Sequence, residues 1–204
     1  MNIQKVLVIG AGQMGSGIAQ VCAQAGFDVK LNDMKDEFFE RGLGIITKNL
    51  SRSVEKGRMT EDEKTKVLSR ITKSLDLNDA SDVDLVIEAA VENMEIKQSI
   101  FKRLDEITPK HAILASNTSS LPITEIATVT NRPEQVIGMH FMNPVPVMKL
   151  VEIIRGLATS DEVYTAIEEM TKKLDKVPVE VNDFPGFVSN RILMPMINEA
   201  IYTL

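Results

Sequence analysis

The sequence predicts an α/β fold in which a doubly wound, mostly parallel sheet carries helices on both faces. Short β-branched runs alternate with helical patterns, and runs such as Leu85–Ile87 are apolar throughout. Continuously apolar strands are typical of a sheet buried between two helical layers, and strand–helix alternation implies right-handed crossovers between parallel strands. The predicted strands are Lys5–Ile9, Asp28–Asn32, Ile71–Leu75, Asp84–Ala89, Ala112–Ser116 and Gln135–Phe141.

The segment from about Met34 to Ser69 lies between the second and third predicted strands and is charged and helix-prone. Gly57 interrupts it. Thr60 and the acidic residues after it mark a new start, because threonine caps helices and acidic residues favour a first turn. We therefore expect a helical hairpin inserted into the sheet domain.

The pattern changes after Phe141. The elements predicted there are strands Lys149–Arg155 and Val177–Asn182 and a helix over Asp161–Leu174. We expect these strands to close the sheet, and Pro185 suits the first turn of a last helix that continues to Leu204. That helix is apolar over more than one stripe, which a lone terminal helix could not bury. We therefore expect a domain over residues 1–184, and in residues 185–204 the first helix of a further, truncated domain.

A GxGxxG motif follows the first strand directly and opens a helix over residues 14–26. In such a motif Gly10 allows a tight turn, Gly12 lets backbone amides approach a pyrophosphate, and Gly15 lets helix and strand pack closely. The spacing therefore predicts a Rossmann-type fold that binds a dinucleotide. The cofactor-binding residues expected in the turn are Gly10, Gly12, Gln13, Met14 and Gly15.

Asp33 directly follows the second predicted strand and lies 18 residues beyond Gly15, near the roughly 20 expected for the acidic residue of this motif. A carboxylate at that distance accepts hydrogen bonds from the adenosine ribose hydroxyls and repels a 2′-phosphate. The expected cofactor is therefore NAD rather than NADP. The alternative is a plain tight turn after which Asp33 caps the next helix.

Of the two histidines, only His140 ends an apolar strand, at the edge where open α/β sheets bind ligands. A hairpin centred near Pro146 would place His140 opposite Glu152. A carboxylate beside an imidazole fixes its tautomer and raises its basicity, as a general base requires. The pair is a candidate catalytic base, although a histidine at a strand end can also be purely structural.

Two further polar patterns leave alternatives open. The run Ser116–Ser120 follows another strand at the same edge, and it either caps the next helix or offers hydroxyl and amide groups to a ligand. Lys48, Arg52 and Lys56 repeat every four residues, so they share one helix face that is either solvated or a cationic patch for a phosphorylated substrate. No residue spacing suggests a metal site.

Composition limits the partners. The formal net charge is −6, which gives no field that attracts nucleic acid or an anionic membrane. No apolar stretch reaches the roughly 18 residues of a membrane span, and glycines and glutamines interrupt the run after Lys5 that superficially imitates a signal peptide. The one cysteine, Cys22, suits a reducing compartment, so we expect a cytoplasmic location.

Three runs of the sequence resemble the 3-hydroxyacyl-CoA dehydrogenase family, and within it the stand-alone, short-chain bacterial type. These runs are Ser116–Ser120, His140–Glu152 and Pro185–Arg191, and the resemblance covers the whole chain. It implies an NAD-dependent enzyme that interconverts (S)-3-hydroxyacyl-CoA and 3-oxoacyl-CoA. It also implies that residues 185–204 are the first helix of an all-helical C-terminal domain, and that the full-length form is a homodimer.

The resemblance implies roles for individual residues. His140 would remove the hydroxyl proton while hydride leaves for the nicotinamide, and Glu152 would hold His140. Ser119 would bind the substrate oxygen, Asn190 would lie near the acyl group, and Lys56 would meet the coenzyme A phosphates. The family's cofactor contacts fall on Asp33, Glu92, Lys97, Ser119 and Asn143.

Two rival functions stay open at this point. One is a non-catalytic dinucleotide-binding module of the same fold, since a fold alone does not establish a function. The other is a hydroxy-acid dehydrogenase that uses Lys149 as its base and a free carboxylate as substrate.

Overall fold

Eight strands form one sheet in the computed structural model, which describes residues 2–204. The strands are β1 (Lys5–Ile9), β2 (Asp28–Asn32), β3 (Ile71–Ser74), β4 (Leu85–Glu88), β5 (Ile113–Ser116), β6 (Val136–Phe141), β7 (Leu150–Arg155) and β8 (Val177–Asn182). The helices are α1 (Gln13–Gln24), α2 (Asp36–Glu55), α3 (Glu61–Ser69), α4 (Met94–Ile107), α5 (Ile123–Ala127), α6 (Asp161–Lys173) and α7 (Ser189–Tyr202). No predicted strand end differs from the structure by more than one residue.

The strand order is β3-β2-β1-β4-β5-β6-β7-β8. Strands β1 to β6 are parallel, β7 is antiparallel to β6, and β8 is parallel to β7. The predicted doubly wound, mostly parallel sheet is therefore confirmed. After β1 the chain adds β2 and β3 on one side of that strand, and it later places β4 on the other side. A crevice opens at the carboxyl ends of the strands at such a switch point.

The sheet is buried on both faces because successive side chains of a strand point to opposite sides. In β1, Val6 and Val8 contribute to one apolar cluster, and Leu7 and Ile9 contribute to the other. Helices α1, α2, α3 and α6 cover the first face, and α4 and α5 cover the second. Cys22 of α1 is fully buried in the first cluster, and this burial raises the pKa of its thiol to about 12.

The inserted helical hairpin is confirmed as α2 and α3. The hydroxyl of Thr60 accepts the backbone N–H of Glu63, and the Glu63 carboxylate accepts the backbone N–H of Thr60. This reciprocal capping box satisfies two amides that a helix start would otherwise leave unpaired.

The prediction that Pro185 starts the last helix is wrong, because α7 begins at Ser189. Residues before it form a turn in which Gly186 has φ 79° and Phe187 has φ 50°. A right-handed helix cannot include left-handed backbone, so it starts only after this turn. All residues from 191 to 204 are exposed. Within residues 2–204, no helix is both long enough and apolar enough to cross a membrane.

Candidate active site

A cavity of about 790 Å³ lies at the crevice beside β1 and β4. The glycine turn, the end of β2 and the residues that follow β4 line it, together with Phe38 and Arg41 of α2. This volume falls within the range of small-molecule and cofactor sites. The sheet edge therefore offers a ligand-sized space where the GxGxxG motif predicts one.

Close packing requires two of the three glycines of the turn, and the third adjoins open space. A Cβ on Gly10, whose φ is 96°, would lie 2.6 Å from the carbonyl oxygen of Ala89, and one on Gly15 would lie 1.7 Å from the carbonyl oxygen of Gly10. A Cβ on Gly12 would meet no protein atom within 4 Å. Gly12 also precedes α1 without a side-chain cap, so the amides of this helix start face open space suited to an anion.

Asp33 joins the end of β2 to the glycine turn. Its Oδ2 accepts the backbone N–H of Ala11 at 2.8 Å, and its Oδ1 accepts the N–H of Met34 at 2.7 Å. Each carboxylate oxygen can accept more than one hydrogen bond, so Asp33 can still accept ribose hydroxyls. The residue lines the cavity and is partly exposed.

Glu92 organises the loop that follows β5. Its Oε1 accepts the hydroxyl of Thr118 at 2.5 Å and the backbone N–H of Ser119 at 2.9 Å. Partial burial alone would raise the pKa of Glu92, but these hydrogen bonds and the nearby Lys97 ammonium lower it below its usual value. Glu92 thus stays ionised and holds Ser119 at the sheet edge. Within residues 2–204 the Ser119 hydroxyl donates no hydrogen bond.

Lys97 lies below the surface, with only 1% of its side chain exposed. Its ammonium binds the carboxylate of Glu88 at 2.7 Å and lies 3.4 Å from Glu92. Glu88 is fully buried and also accepts the hydroxyl of Ser116 at 2.7 Å. Sequence reasoning missed Glu88, although an acidic residue that ends an apolar strand was a signal. A direct contact of Lys97 with the cofactor stays a prediction.

The predicted hairpin between His140 and Glu152 is confirmed. The two residues are directly paired in the antiparallel register of β6 and β7. His140 Nδ1 lies 2.8 Å from Glu152 Oε2, and the two side chains are only 7% and 2% exposed. A proton on Nδ1 would be donated to Glu152 and leave the lone pair of Nε2 free, so this arrangement can accept a proton at Nε2.

The second oxygen of Glu152 binds the start of α7. Oε1 accepts the backbone N–H of Val188 at 3.1 Å and that of Ser189 at 2.8 Å. Burial alone would raise the pKa of Glu152, but the hydrogen bonds from His140 and Ser189 lower it. The Phe187 ring packs against the His140 ring, with centroids 5.8 Å apart and planes inclined at 58°.

Further contacts bring the other predicted site residues to the same sheet edge. The side-chain amide of Asn190 donates to the carbonyl oxygen of Ser119 at 3.1 Å. The side-chain amide of Gln13 donates to Asn143 Oδ1 at 3.0 Å, which joins the glycine turn to the loop after β6. The elements that carry the dinucleotide motif and the His140–Glu152 pair therefore meet at one edge.

Comparison with known proteins then identifies the family. The profile of the family described as "3-hydroxyacyl-CoA dehydrogenase, NAD binding domain" matches residues 5–184. The chain belongs to the 3-hydroxyacyl-CoA dehydrogenase family. It is an NAD-dependent oxidoreductase, and the open space before Gly12 and the Asp33 carboxylate fit that cofactor.

Relatives in this family are similar over nearly the whole chain. The probable 3-hydroxybutyryl-CoA dehydrogenase of Bacillus subtilis is 61% identical over 99% of this chain and 70% of its own length. The 3-hydroxybutyryl-CoA dehydrogenase of Bradyrhizobium diazoefficiens is 55% identical over 99% of this chain and 69% of its own length. The crystal structure of (S)-3-hydroxybutyryl-CoA dehydrogenase from Ralstonia eutropha superposes with a TM-score of 0.96 at 49% identity, over 98% of this chain and 70% of that one.

The cationic face of this family member lies on α2. Lys48, Arg52 and Lys56 are all exposed, and within the described residues none of them forms an ion pair. Lys56 follows the last residue of α2, where a positive charge complements the helix dipole. These charges are available to an anionic partner. Residues 2–204 contain no group of three or more His, Cys, Asp or Glu side chains that could hold a metal ion.

Proposed function

We propose that this dehydrogenase interconverts (S)-3-hydroxyacyl-CoA and 3-oxoacyl-CoA, with a preference for short acyl chains such as 3-hydroxybutyryl. The buried His140–Glu152 pair at the NAD-binding edge of the sheet carries the proposal. Relatives named 3-hydroxybutyryl-CoA dehydrogenase support the choice of acyl group.

In the proposed reaction His140 is the general base. Its Nε2 takes the proton of the substrate's 3-hydroxyl, and the ionised Glu152 stabilises the imidazolium that forms. Bound NAD supplies the acceptor for the hydride that leaves the third carbon. The Ser119 hydroxyl donates to the substrate oxygen, and Asn190 lies beside it because its amide holds the Ser119 carbonyl.

The remaining site residues divide between the two ligands. We assign the exposed cations Lys48, Arg52 and Lys56 to the coenzyme A phosphates, since they form a charged strip along α2. The proposed NAD contacts are Gly10, Gly12, Gln13, Met14, Gly15, Asp33, Glu92, Lys97, Ser119 and Asn143.

The domain boundary, assembly and location are also proposals. We assign residues 1–184 to an NAD-binding domain, which the family match over residues 5–184 supports, and residues 185–204 to the first helix of a helical domain. The exposed apolar side chains of α7 support this division and a homodimer of the full-length form, because such surfaces usually pack against a partner. A cytoplasmic location completes the proposal.

The test follows NADH oxidation with acetoacetyl-CoA by absorbance. It uses this chain and a chimera in which the chain replaces the corresponding 70% of the Bacillus subtilis relative. We expect turnover with acetoacetyl-CoA in the chimera and far less with free acetoacetate, which lacks the coenzyme A handle.

Two outcomes would contradict the proposal. Equal rates with free acetoacetate would favour a hydroxy-acid dehydrogenase, for which Lys149 would be the first base to mutate. NAD binding without turnover of any 3-oxoacyl-CoA by the chimera would favour a non-catalytic module.

Lys56→Gln should raise the KM for acetoacetyl-CoA while it leaves NAD affinity unchanged, and Lys102→Gln, an exposed change on α4, is the control.

A further inference from the structure

The segment of residues 183–190, here called the clasp segment, runs from β8 to α7 and is anchored at both ends. At one end, the Asp183 carboxylate accepts the backbone N–H groups of Ile123 and Thr124 at 3.0 and 2.7 Å, which caps α5. At the other end, Asn190 donates to the Ser119 carbonyl at 3.1 Å. The clasp segment is therefore fixed to the loop and helix that follow β5.

The middle of the clasp segment has an unusual backbone. Gly186 has φ 79°, and Phe187, a bulky residue, has φ 50°. A bulky residue in left-handed backbone is a true outlier, and such strain persists where the surrounding structure requires it. This turn leaves Phe187 only 3% exposed, whereas Phe184 before it is 66% exposed.

The buried Phe187 ring contacts His140, and the backbone amides that follow Phe187 contact Glu152. The ring packs on the imidazole of His140 at 5.8 Å between centroids. The N–H groups of Val188 and Ser189 bind Oε1 of Glu152, and Oε2 binds His140. Rotation of the Glu152 carboxylate would break hydrogen bonds on both sides, so the clasp segment restrains both partners together.

We propose that Phe187 is a positioning residue for the His140–Glu152 pair. Its ring fixes the plane of the imidazole and keeps water away from the Nδ1–Oε2 hydrogen bond, while the following amides fix the carboxylate. The effect of Phe187 on turnover rests on the proposed function, in which His140 is the base. Its effect on the hydrogen bond itself does not depend on any substrate.

The direct test is proton NMR of the imidazole N–H that His140 shares with Glu152, measured on the chain alone with His140→Gln for assignment. Phe187→Leu keeps an apolar side chain but removes the flat ring. Phe27→Leu is the matched control, because Phe27 is buried at 7% exposure at the opposite edge of the sheet, before β2. We expect Phe187→Leu to speed the exchange of this proton with water by about tenfold or more, as increased water access requires. The control should exchange at the wild-type rate.

The kinetic test uses the chimera. A loosely held base should lower kcat by between about 10-fold and 100-fold in Phe187→Leu, with the KM for acetoacetyl-CoA and the NAD affinity nearly unchanged. Unchanged proton exchange in Phe187→Leu would overturn the proposal, and so would equal changes in both variants. If no acyl-CoA is turned over, the proposed function fails, and the exchange measurement still decides the role of Phe187.

Discussion

The cofactor turn draws its parts from β1, α1 and the end of β2, within the first 33 residues, whereas the His140–Glu152 pair requires β6, β7 and the clasp segment to meet. The parts of the turn all belong to one strand–helix–strand unit, which holds Ala11 and Asp33 together. The pair instead depends on residues from 140 to 189. Substitutions in the turn should therefore weaken cofactor binding alone. Substitutions in the His140–Glu152 pair should lower turnover while cofactor binding persists.

The largest expected effect lies between the two regions, at the buried ion pair of Lys97 and Glu88. Lys97→Met should lower the free energy of unfolding by about 3–5 kcal/mol, because it leaves the buried Glu88 charge without its partner. Urea unfolding measures this, and Lys102→Met on the exposed face of the same helix is the control. A small stability loss with a large loss of NAD affinity would instead make Lys97 a direct cofactor contact.

His140→Gln tests the independence of the two regions most directly. In the chimera it should lower kcat by about a hundredfold or more, as expected for the loss of a general base, and leave the Kd for NAD unchanged. Steady-state kinetics gives kcat, and titration calorimetry gives the Kd for NAD. His111→Gln is the control, since His111 is exposed and pairs with Asp84 at the other edge of the sheet. A loss of NAD affinity in His140→Gln would contradict the independence of the two regions.

Asp33→Ala should produce the converse result. Loss of its charge-assisted hydrogen bonds should weaken NAD binding by about 1–3 kcal/mol and improve the relative binding of NADP, with kcat at saturating NAD little changed. Titration calorimetry with both cofactors is the measurement. Asp28→Ala, at the other end of the same strand, controls for loss of charge. Unchanged NAD affinity would remove Asp33 from the site.

The smallest effect is a pH-dependent contribution of Glu152 to stability. Burial opposes its ionisation, but His140 and Ser189 hold its pKa below the usual value. A carboxyl whose folded pKa is depressed stabilises the fold above its unfolded pKa, and this contribution is lost as pH falls through the folded pKa. Glu152→Gln should therefore cost about 1–3 kcal/mol near neutral pH, and the difference from wild type should shrink in acid. Urea unfolding over a pH series checks the sign, and a difference that grows in acid would contradict it.

The sequence was most informative where one short unit determines the structure. Strand ends were predicted within one residue, and the turn symmetry about Pro146 correctly paired His140 with Glu152. It was least informative about contacts that several elements create. Neither the insertion of Phe187 against His140 nor the burial of Glu88 follows from periodicity, because each depends on contacts between different elements. Phe187 meets β6, and Glu88 meets Lys97 of α4 and Ser116 of β5. The left-handed turn before α7 was missed for a related reason, since Pro185 alone is compatible with a helix start.

Because Cys22 is buried, the reactivity of its thiol reports when helix α1 separates from the sheet. With a thiol pKa of about 12 and no exposed surface, this single cysteine can react with an alkylating reagent only when the helix leaves the sheet. The alkylation rate therefore measures how often the glycine-turn region opens. A ligand that binds only the closed form slows that opening in proportion to its saturation, so NAD affinity can be determined from thiol chemistry without any turnover.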